Sequence, residues 1–344
     1  MRRAGHVASL VVFVLPDCSA TKRAPELHAS TAASSVSGGA ADRGNLPSAA
    51  PAASSPGAPA TVPAEGGTVS RCGTIPCRVF ADDRAAFAAA LIPAPALLAV
   101  GESHAQRGSD VEPSTRRFAR DLLPMLAGRA TDIVIELMLP NPKCAPDSER
   151  AQKEQKVVTE HQAKSDQDDY VALGTRAKAL GIRPHALEPT CEDLSRIAKA
   201  GPDAVTVSLD VITRLATETL SKLLSANAAA GDARMVVAYG GLMHNDIVPR
   251  PERAAWSFGP AMKAKTSDRY TELDLVAPEQ IEDSATWRTL PWVPGFDRDA
   301  HARNAVLVSP SARSYVLVFP RSTQTARAGD AVDPTTAVPS ASPR

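Results

Sequence analysis

The chain has 344 residues, its 38 basic residues balance its 38 acidic ones, and aromatic residues make up only 4% of it. A net charge of zero, with no basic stripe interleaved with aromatic residues, argues against nucleic acid as a partner. Both ends of the chain differ in composition from the middle, so its length overstates the size of the folded part.

The first 18 residues are typical of a secretory signal peptide. Arg2, Arg3 and His6 precede an apolar run over residues 7–15 that is too short to span a bilayer. Cys18 follows at the position where an exported bacterial lipoprotein carries its lipid, and the alternative is cleavage by a plain signal peptidase near Ala20. In both cases we expect export to the cell envelope, either into the periplasm or as a lipoprotein that meets the membrane only through its N-terminal anchor.

Two segments have the composition of disordered chain. Residues 19–70 consist mostly of Ala, Ser, Pro and Gly and contain no aromatic residue, which predicts a disordered linker. Residues 322–344 have the same character and predict a disordered tail. Residues 71–321 remain, and about 250 residues are enough to form one domain with a large core.

Four cysteines remain when Cys18 is set aside, and an even number in an exported chain favours disulfides. Cys72 and Cys77 are close enough in sequence to close a small loop. Cys144 and Cys191 follow neighbouring predicted strands, so they form the second predicted pair. A zinc cluster of cysteines is the alternative, although the chain offers no second close pair of cysteines.

Short apolar and β-branched runs alternate with helical patterns between residues 71 and 321. This alternation predicts a single α/β domain with a mostly parallel sheet and crossover helices. Helices are predicted to begin at Pro113, Asp168 and Pro202, with Pro124 interrupting the first and Gly181 ending the second. Strands are predicted over residues 96–100, 132–136, 182–188, 234–239, 272–276 and 315–319.

A polar and charged stretch interrupts this alternation between Leu139 and Gln167. We interpret it as an excursion over the ends of the strands. It forms either a lid over these ends or a solvated surface helix, because charge runs usually face water.

Two copies of Gly-x-x-His each follow a predicted strand, one ending at His104 and the other at His244. Ligands of α/β proteins bind outside the carboxyl ends of the strands, where glycine allows a sharp turn. Three carboxylates are predicted at the same edge, those of Glu102, Glu136 and Glu188. The pattern therefore predicts a functional site at this edge.

This set of side chains suits two kinds of chemistry. His104, Glu136, His244 and Glu188 could hold a divalent metal that activates water. Without a metal, Glu102 or Glu136 would orient His104 as a general base, and His244 would complete the site. The predicted catalytic residues are Glu102, His104, Glu136 and His244, acting on a small-molecule or peptide substrate.

Polar residues near the two motifs have either a functional or an ordinary interpretation. Asn245 and Asp246 either orient His244 or are turn residues. His185, in the middle of a predicted strand, is expected to be structural. Three arginines beyond the first motif either clamp an anionic substrate or lie on the surface: Arg107, Arg116 and Arg117.

At these motifs the chain resembles the superfamily that contains the ChaN-like haem-binding lipoproteins, the erythromycin esterases and the TraB/Tiki proteins. Gly-Glu-Ser-His over residues 101–104 is similar to the first motif of that superfamily, and Ile-Val-Ile-Glu over residues 133–136 is similar to its acidic second strand. Gly-Leu-Met-His over residues 241–244 is similar to its second Gly-x-x-His. The Glu-x-His spacing is nearer the ChaN-like pattern, since the esterase pattern has one more residue between the two.

The resemblance implies an α/β fold with a cleft at the strand ends, and it implies no single activity. Tiki-like members are metal-dependent proteases, esterase-like members hydrolyse a lactone with His and Glu, and ChaN-like members bind haem. Haem would need an axial ligand such as His104, Tyr239 or His244, with Met243 as a further candidate. A Cys-x-x-Cys-His motif is absent, which excludes covalent c-type haem. We expect an exported hydrolase, with a haem- or metal-binding lipoprotein without catalysis as the alternative.

Overall fold

The computed structural model of the chain describes residues 66–92, 94–159, 162–163, 165–282 and 285–322. The nine strands within these residues form one sheet, in the order β1-β2-β8-β9-β7-β3-β6-β4-β5. The strands are β1 (Thr68–Cys72), β2 (Ile75–Phe80), β3 (Leu97–Glu102), β4 (Ala130–Met138), β5 (Arg183–Leu187), β6 (Met235–Gly241), β7 (Tyr270–Val276), β8 (Ala305–Ser311) and β9 (Ser314–Val318).

Helices connect the strands and cover the sheet. They are α1 (Asp83–Ala90), α2 (Ser114–Arg117), α3 (Ala145–Thr159), α4 (Asp166–Ala179), α5 (Cys191–Lys199), α6 (Ala204–Ala229), α7 (Gly259–Lys265) and α8 (Ala285–Arg288). None of the helices in the described part of the chain has the length and apolar character needed to cross a membrane.

The predicted α/β class with a mostly parallel sheet is confirmed. β7, β3, β6, β4 and β5 are parallel neighbours, and β9 adds to β7 in the same direction. An antiparallel extension made of β1, β2 and β8 completes the other edge. These three strands and α1 are absent from the sequence prediction, and β1 begins at Thr68, inside the segment that was predicted to be disordered linker.

Two apolar layers sandwich the parallel strands. On the first face, α1 and α4 pack on the sheet through side chains such as Phe87, Leu173 and Ala177. On the second face, α5, α6 and α7 pack through Leu194, Leu215 and Met262, among others. β3 is buried along its whole length, because both faces of this central strand are covered. In β3, polar chemistry is therefore confined to the carboxyl end.

The predicted helix after Pro113 is broken into three short pieces. α2 continues as a π-helical turn over Phe118–Leu122 and then as a 3₁₀ turn over Leu123–Leu126. Pro124 lies at this change of pitch, and proline cannot donate the backbone hydrogen bond that a regular helix needs there. The interruption that Pro124 predicts is therefore confirmed.

Both predicted cysteine pairs are disulfides in the structure. Cys72–Cys77 closes the turn between β1 and β2, with a Cα–Cα distance of 5.9 Å. Cys144–Cys191 joins the start of the excursion after β4 to the start of α5, with a Cα–Cα distance of 5.6 Å. The zinc alternative is therefore wrong for these four cysteines.

The excursion after β4 is attached to the domain along its length. α3 packs on α5 and α6, where Gln155 Nε2 donates to Ser208 Oγ at 3.3 Å. Farther along, Ala163 N donates to Ala105 O at 2.8 Å, directly after the first Gly-x-x-His motif. The excursion thus reaches the edge of the sheet that carries His104. The predicted signal peptide, most of the linker and all but the first residue of the tail lie outside the described residues.

Candidate functional site

Three of the four predicted strand ends converge at the carboxyl edge of β3, β4 and β6. β6 lies between the other two strands, and Glu102 is directly opposite Gly241 in the register. Because successive side chains alternate between faces, Glu102 points to the first face and Glu136 to the second. Glu188 is exposed and does not join the group.

Glu102 and His104 form the first of two His–Glu pairs, and Glu102 is its buried member. Its side chain is only 3% exposed, and three hydroxyl groups donate to its two oxygens. Thr115 and Tyr239 donate to Oε2 at 2.7 and 2.6 Å, and Tyr170 donates to Oε1 at 3.0 Å. These bonds fix the carboxylate and replace the water that it loses on burial.

His104 stands above this carboxylate and is 24% exposed. Its Nδ1 lies 3.4 Å from Glu102 Oε1 and 3.3 Å from the hydroxyl oxygen of Tyr170, which already donates its own hydrogen to Glu102. Nδ1 therefore carries a proton and is the donor. Nε2 faces Gly241, since a Cβ on that glycine would lie 3.1 Å from it.

Glu136 and His244 form the second pair, with the burial reversed. Glu136 is 16% exposed, whereas His244 is 4% exposed, and Glu136 Oε1 lies 3.3 Å from His244 Nε2. Gly241 N donates to Glu136 Oε2 at 2.6 Å. In this pair the histidine is the buried member and the carboxylate is the accessible one.

His244 is oriented from its far side by α6 and by the segment before α7. Its Nδ1 donates to Trp256 O at 2.7 Å, and Thr213 Oγ1 donates to the same carbonyl at 2.8 Å. The carbonyl places a proton on Nδ1, so Nε2 faces Glu136. Asn245 and Asp246, which the sequence offered as possible orienters, bond elsewhere: Asn245 to Asp274 and Asp246 to Val248 N.

The glycines of the two motifs are needed for close approach. A Cβ on Gly240 would collide with the carboxylate of Glu136, and a Cβ on Gly101 would lie 2.6 Å from Asn245 Oδ1. A Cβ on Gly241 would lie 3.1 Å from His104 Nε2 and 3.6 Å from Glu136 Oε2. The surface of Gly241 is therefore the place where the accessible atoms of both pairs meet.

Charge keeps His104, Glu136 and His244 ionised. Burial alone lowers the pKa of His104, but the hydrogen bond and charge of Glu102, helped by Glu136, raise it to about 9. Burial alone raises the pKa of Glu136, but the charge and hydrogen bond of His244, helped by His104, lower it to about 2. Burial opposes ionisation of His244 too, and the charge of Glu136 outweighs it, so the pKa of His244 is raised. At neutral pH the site contains an accessible imidazolium and an accessible carboxylate.

Asp166 is a further acid at this edge that the sequence prediction missed. It lies one helical turn before Tyr170 on α4, and residues four apart on a helix share a face. Burial and the neighbouring Glu102 raise the pKa of Asp166 to about 7, against the opposing charge of His104. The four-residue spacing to a buried tyrosine is the signal that could have identified it.

The hydroxyl and carbonyl groups that hold the two pairs were also missed as site residues. Tyr170 follows the predicted helix start at Asp168, and Thr115 and Thr213 are polar positions on buried helix faces, so no sequence pattern marks them as site residues. Their roles depend on contacts between residues far apart in sequence, such as the 68 positions between Tyr170 and Glu102.

The remaining polar candidates have structural partners or lie at the surface. His185 Nε2 lies 2.7 Å from Asp132 Oδ1, as expected for a structural histidine. Arg116 pairs with Asp169, and the guanidinium of Arg117 stacks over Phe319 and donates to Pro320 O. Arg107 is exposed.

The structure does not bring the four predicted metal ligands together as one set. Within the described residues, no group of three or more His, Cys, Asp or Glu side chains is arranged to hold one. Glu188, one of the four predicted ligands, is exposed. For haem, Tyr239 fits poorly as an axial ligand because its hydroxyl is buried and donates to Glu102. His104 Nε2 is the accessible nitrogen of the predicted haem ligands.

Comparisons with protein-family models, with curated proteins and with solved structures found no match to this chain.

Proposed function

We propose that this protein is an exported hydrolase that cleaves an acyl bond with two His–Glu pairs. The observation that carries the proposal is the convergence of His104 Nε2 and Glu136 Oε2 over Gly241. An acid and a base held on either side of one small space are what hydrolysis of an ester, lactone or amide requires.

His104 serves in this proposal as a general acid, not as the general base that the sequence analysis expects. It carries a proton on both nitrogens at neutral pH because its pKa is raised to about 9. When water adds to the acyl carbon and the bond to the leaving group breaks, Nε2 donates its proton to the leaving oxygen or nitrogen. Glu102 holds the ring and stabilises its positive charge, a role that the sequence allowed to either Glu102 or Glu136.

Export of the protein is part of this proposal. The apolar run near the N-terminus and the two disulfides favour an oxidising compartment, where disulfides persist. Anchoring through Cys18 and release after cleavage near Ala20 remain the two proposed forms of the mature protein.

Hydrolysis of simple probes tests the proposal. The purified protein is incubated with p-nitrophenyl acetate, a macrocyclic lactone and an N-acyl p-nitroanilide, beside His104→Gln and the matched control Glu188→Gln. We expect at least one probe to be hydrolysed by the wild type and by Glu188→Gln, and much more slowly by His104→Gln. Equal rates for the wild type and His104→Gln on every probe would contradict the proposal.

A haem titration distinguishes the alternative function from the hydrolase proposal. A haem- or metal-binding lipoprotein without catalysis predicts a Soret shift that disappears in His104→Ala. The hydrolase proposal predicts hydrolysis without any need for haem. A His104-dependent Soret shift together with no hydrolysis would favour the alternative.

A further inference from the structure

A small cavity lies on the second face of the sheet, next to the Glu136–His244 pair. Its volume is about 20 Å³, and it is bounded by the ends of β4 and β6, by α6 and by Phe258. Most of its lining is apolar, including Ile212 and Ala216. Glu136, His244 and Asn245 are its acid, imidazole and amide side chains.

Asn245, which lines this cavity, has an unsatisfied polar atom. The residue is 2% exposed, and its Nδ2 donates to Asp274 Oδ1 at 2.9 Å and to Ala99 O at 3.4 Å. Its Oδ1 has no hydrogen-bond partner within the described part of the chain. A buried hydrogen-bond acceptor without a donor is unfavourable, so a small donor that binds beside Oδ1 would be stabilising.

The size of the cavity restricts what that donor can be. A cavity needs a volume of about 10–15 Å³ to hold one water molecule, and a buried water needs two to four polar partners. Glu136 and Asn245 are two acceptors for the two hydrogens of a water. A substrate side chain such as a branched alkyl group needs more space than about 20 Å³.

We propose that this cavity holds the water molecule that is consumed in hydrolysis, hydrogen-bonded to Glu136 and to Asn245 Oδ1. This inference rests on the proposed hydrolase function and deepens it by giving each pair its own role. The Glu136–His244 pair prepares the attacking water, and the Glu102–His104 pair protonates the leaving group. Asn245 is a positioning residue for the water.

The proton and bond changes balance in this arrangement. One proton of the water passes to the Glu136 carboxylate as the water oxygen bonds to the acyl carbon, and His244 keeps Glu136 in place through Nε2. The bond from the acyl carbon to the leaving group then breaks, and the proton from His104 Nε2 goes to the leaving atom. Transfer of the Glu136 proton back to His104 through solvent restores the site, so one water is consumed for each bond cleaved.

A cavity-filling variant tests this assignment. Ile212 is half-buried on α6 and lines the cavity, so Ile212→Phe should displace the water with little strain. Leu223→Phe is the matched control, since Leu223 is a half-buried residue of the same helix that does not line the cavity. Ala216→Val is the second filling variant if Ile212→Phe fails to fold.

High-resolution crystal structures and kinetics with p-nitrophenyl acetate are the two measurements. We expect an ordered water within hydrogen-bond distance of Glu136 and Asn245 in the wild type and in Leu223→Phe. In Ile212→Phe we expect no water and a kcat at least about tenfold lower, at similar KM, because the attacking group is lost.

Two results would overturn the inference. One is a dry cavity in an active wild type, and the other is an Ile212→Phe variant that lacks the water and keeps its kcat, which would make the water structural only. An ordered water in a wild type that hydrolyses none of the probes would instead contradict the proposed function. The two failures are therefore distinguishable.

Discussion

The two His–Glu pairs contain the same residue types with opposite burial. In the first pair the carboxylate of Glu102 is 3% exposed and His104 is 24% exposed. In the second pair the imidazole of His244 is 4% exposed and Glu136 is 16% exposed. The buried member in each case is held by its own set of hydroxyl or carbonyl groups, so the accessible atom is an imidazolium nitrogen in one pair and a carboxylate oxygen in the other.

This reversal shows that residue type alone does not assign a role at a strand end. Glu102 and Glu136 both end apolar strands, but the face of the sheet to which each points decides which groups surround it. Tyr170 and Tyr239 surround Glu102 on the first face, whereas Glu136 meets His244 and a backbone amide on the second. Proximity to one glycine, Gly241, then brings the two different accessible groups together.

The largest expected effect comes from removing the accessible histidine. His104→Gln should lower kcat for hydrolysis at pH 7 by roughly 10²–10⁴-fold, the usual contribution of a positioned general acid. Because His104 is partly exposed, the fold should be retained, as circular dichroism can verify. A kcat of His104→Gln within about threefold of the wild-type value would show that the first pair does not supply the general acid, and the proposed difference in role between the two pairs would be wrong.

The second effect is on stability at the two ends of the pH range. Because the pKa of His104 is raised from 6.5 to about 9, its contribution is complete below about pH 6.5 and is lost as pH rises through 9. Because the pKa of Glu136 is lowered from 4.5 to about 2, its contribution is complete above about pH 4.5 and is lost as pH falls through 2. Each shift corresponds to about 3 kcal/mol at most.

Urea unfolding of His104→Gln and Glu136→Gln across pH checks these two windows. Relative to wild type, His104→Gln should lose part of the pH dependence of the unfolding free energy on the alkaline side. Glu136→Gln should lose the dependence on the acid side, and part of it on the alkaline side, because Glu136 raises the pKa of His244 and helps to raise that of His104. An acid limb that changes as much in His104→Gln as in Glu136→Gln would mean that the pairs titrate as one unit rather than as two.

A smaller effect is expected from the hydroxyl groups that hold Glu102. Tyr239→Phe should lower the free energy of unfolding by about 1.5–3 kcal/mol, because it removes a hydrogen bond to a buried charge. Tyr170→Phe should cost less, since its bond to Glu102 is longer, 3.0 Å against 2.6 Å. Equilibrium unfolding in urea measures both, and the opposite order would show that the first pair is held differently.

The smallest expected effect is that of Glu188. Its side chain is exposed and lies apart from the two pairs, so Glu188→Gln should change both kcat and stability by less than about 0.5 kcal/mol, as is usual for surface substitutions. A large loss of activity in this variant would instead support the predicted metal site that includes Glu188.

The sequence predicted the central part of the fold because β3, β4 and β6 are buried on both faces and contain continuous apolar runs. It missed β1 and β2, whose partly exposed residues form a hairpin closed by a disulfide and give no such run. It also missed β8, although that strand begins with the buried apolar run Ala-Val-Leu-Val. Local pattern is a weak guide where an edge strand depends on its neighbours.

The sequence predicted the four residues of the two His–Glu pairs, and it did not predict which carboxylate pairs with which histidine. The sequence placed Glu102, His104, Glu136 and His244 at one edge, since parallel strands end on the same side. It left open which carboxylate serves His104, because that depends on the face to which each side chain points. The hydroxyl groups around Glu102 depend on tertiary contacts that no local pattern contains.

A pH titration of the histidine side chains by NMR tests the reversed burial of the two pairs most directly. With labelled histidine, the signal that is absent from His104→Gln identifies His104 among the seven histidines of the chain. We predict that His104 titrates near pH 9 in the wild type and closer to 6.5 in Glu102→Gln, since Glu102 is its main charge partner. A wild-type His104 that titrates at or below 6.5, unaffected by Glu102→Gln, would contradict the account.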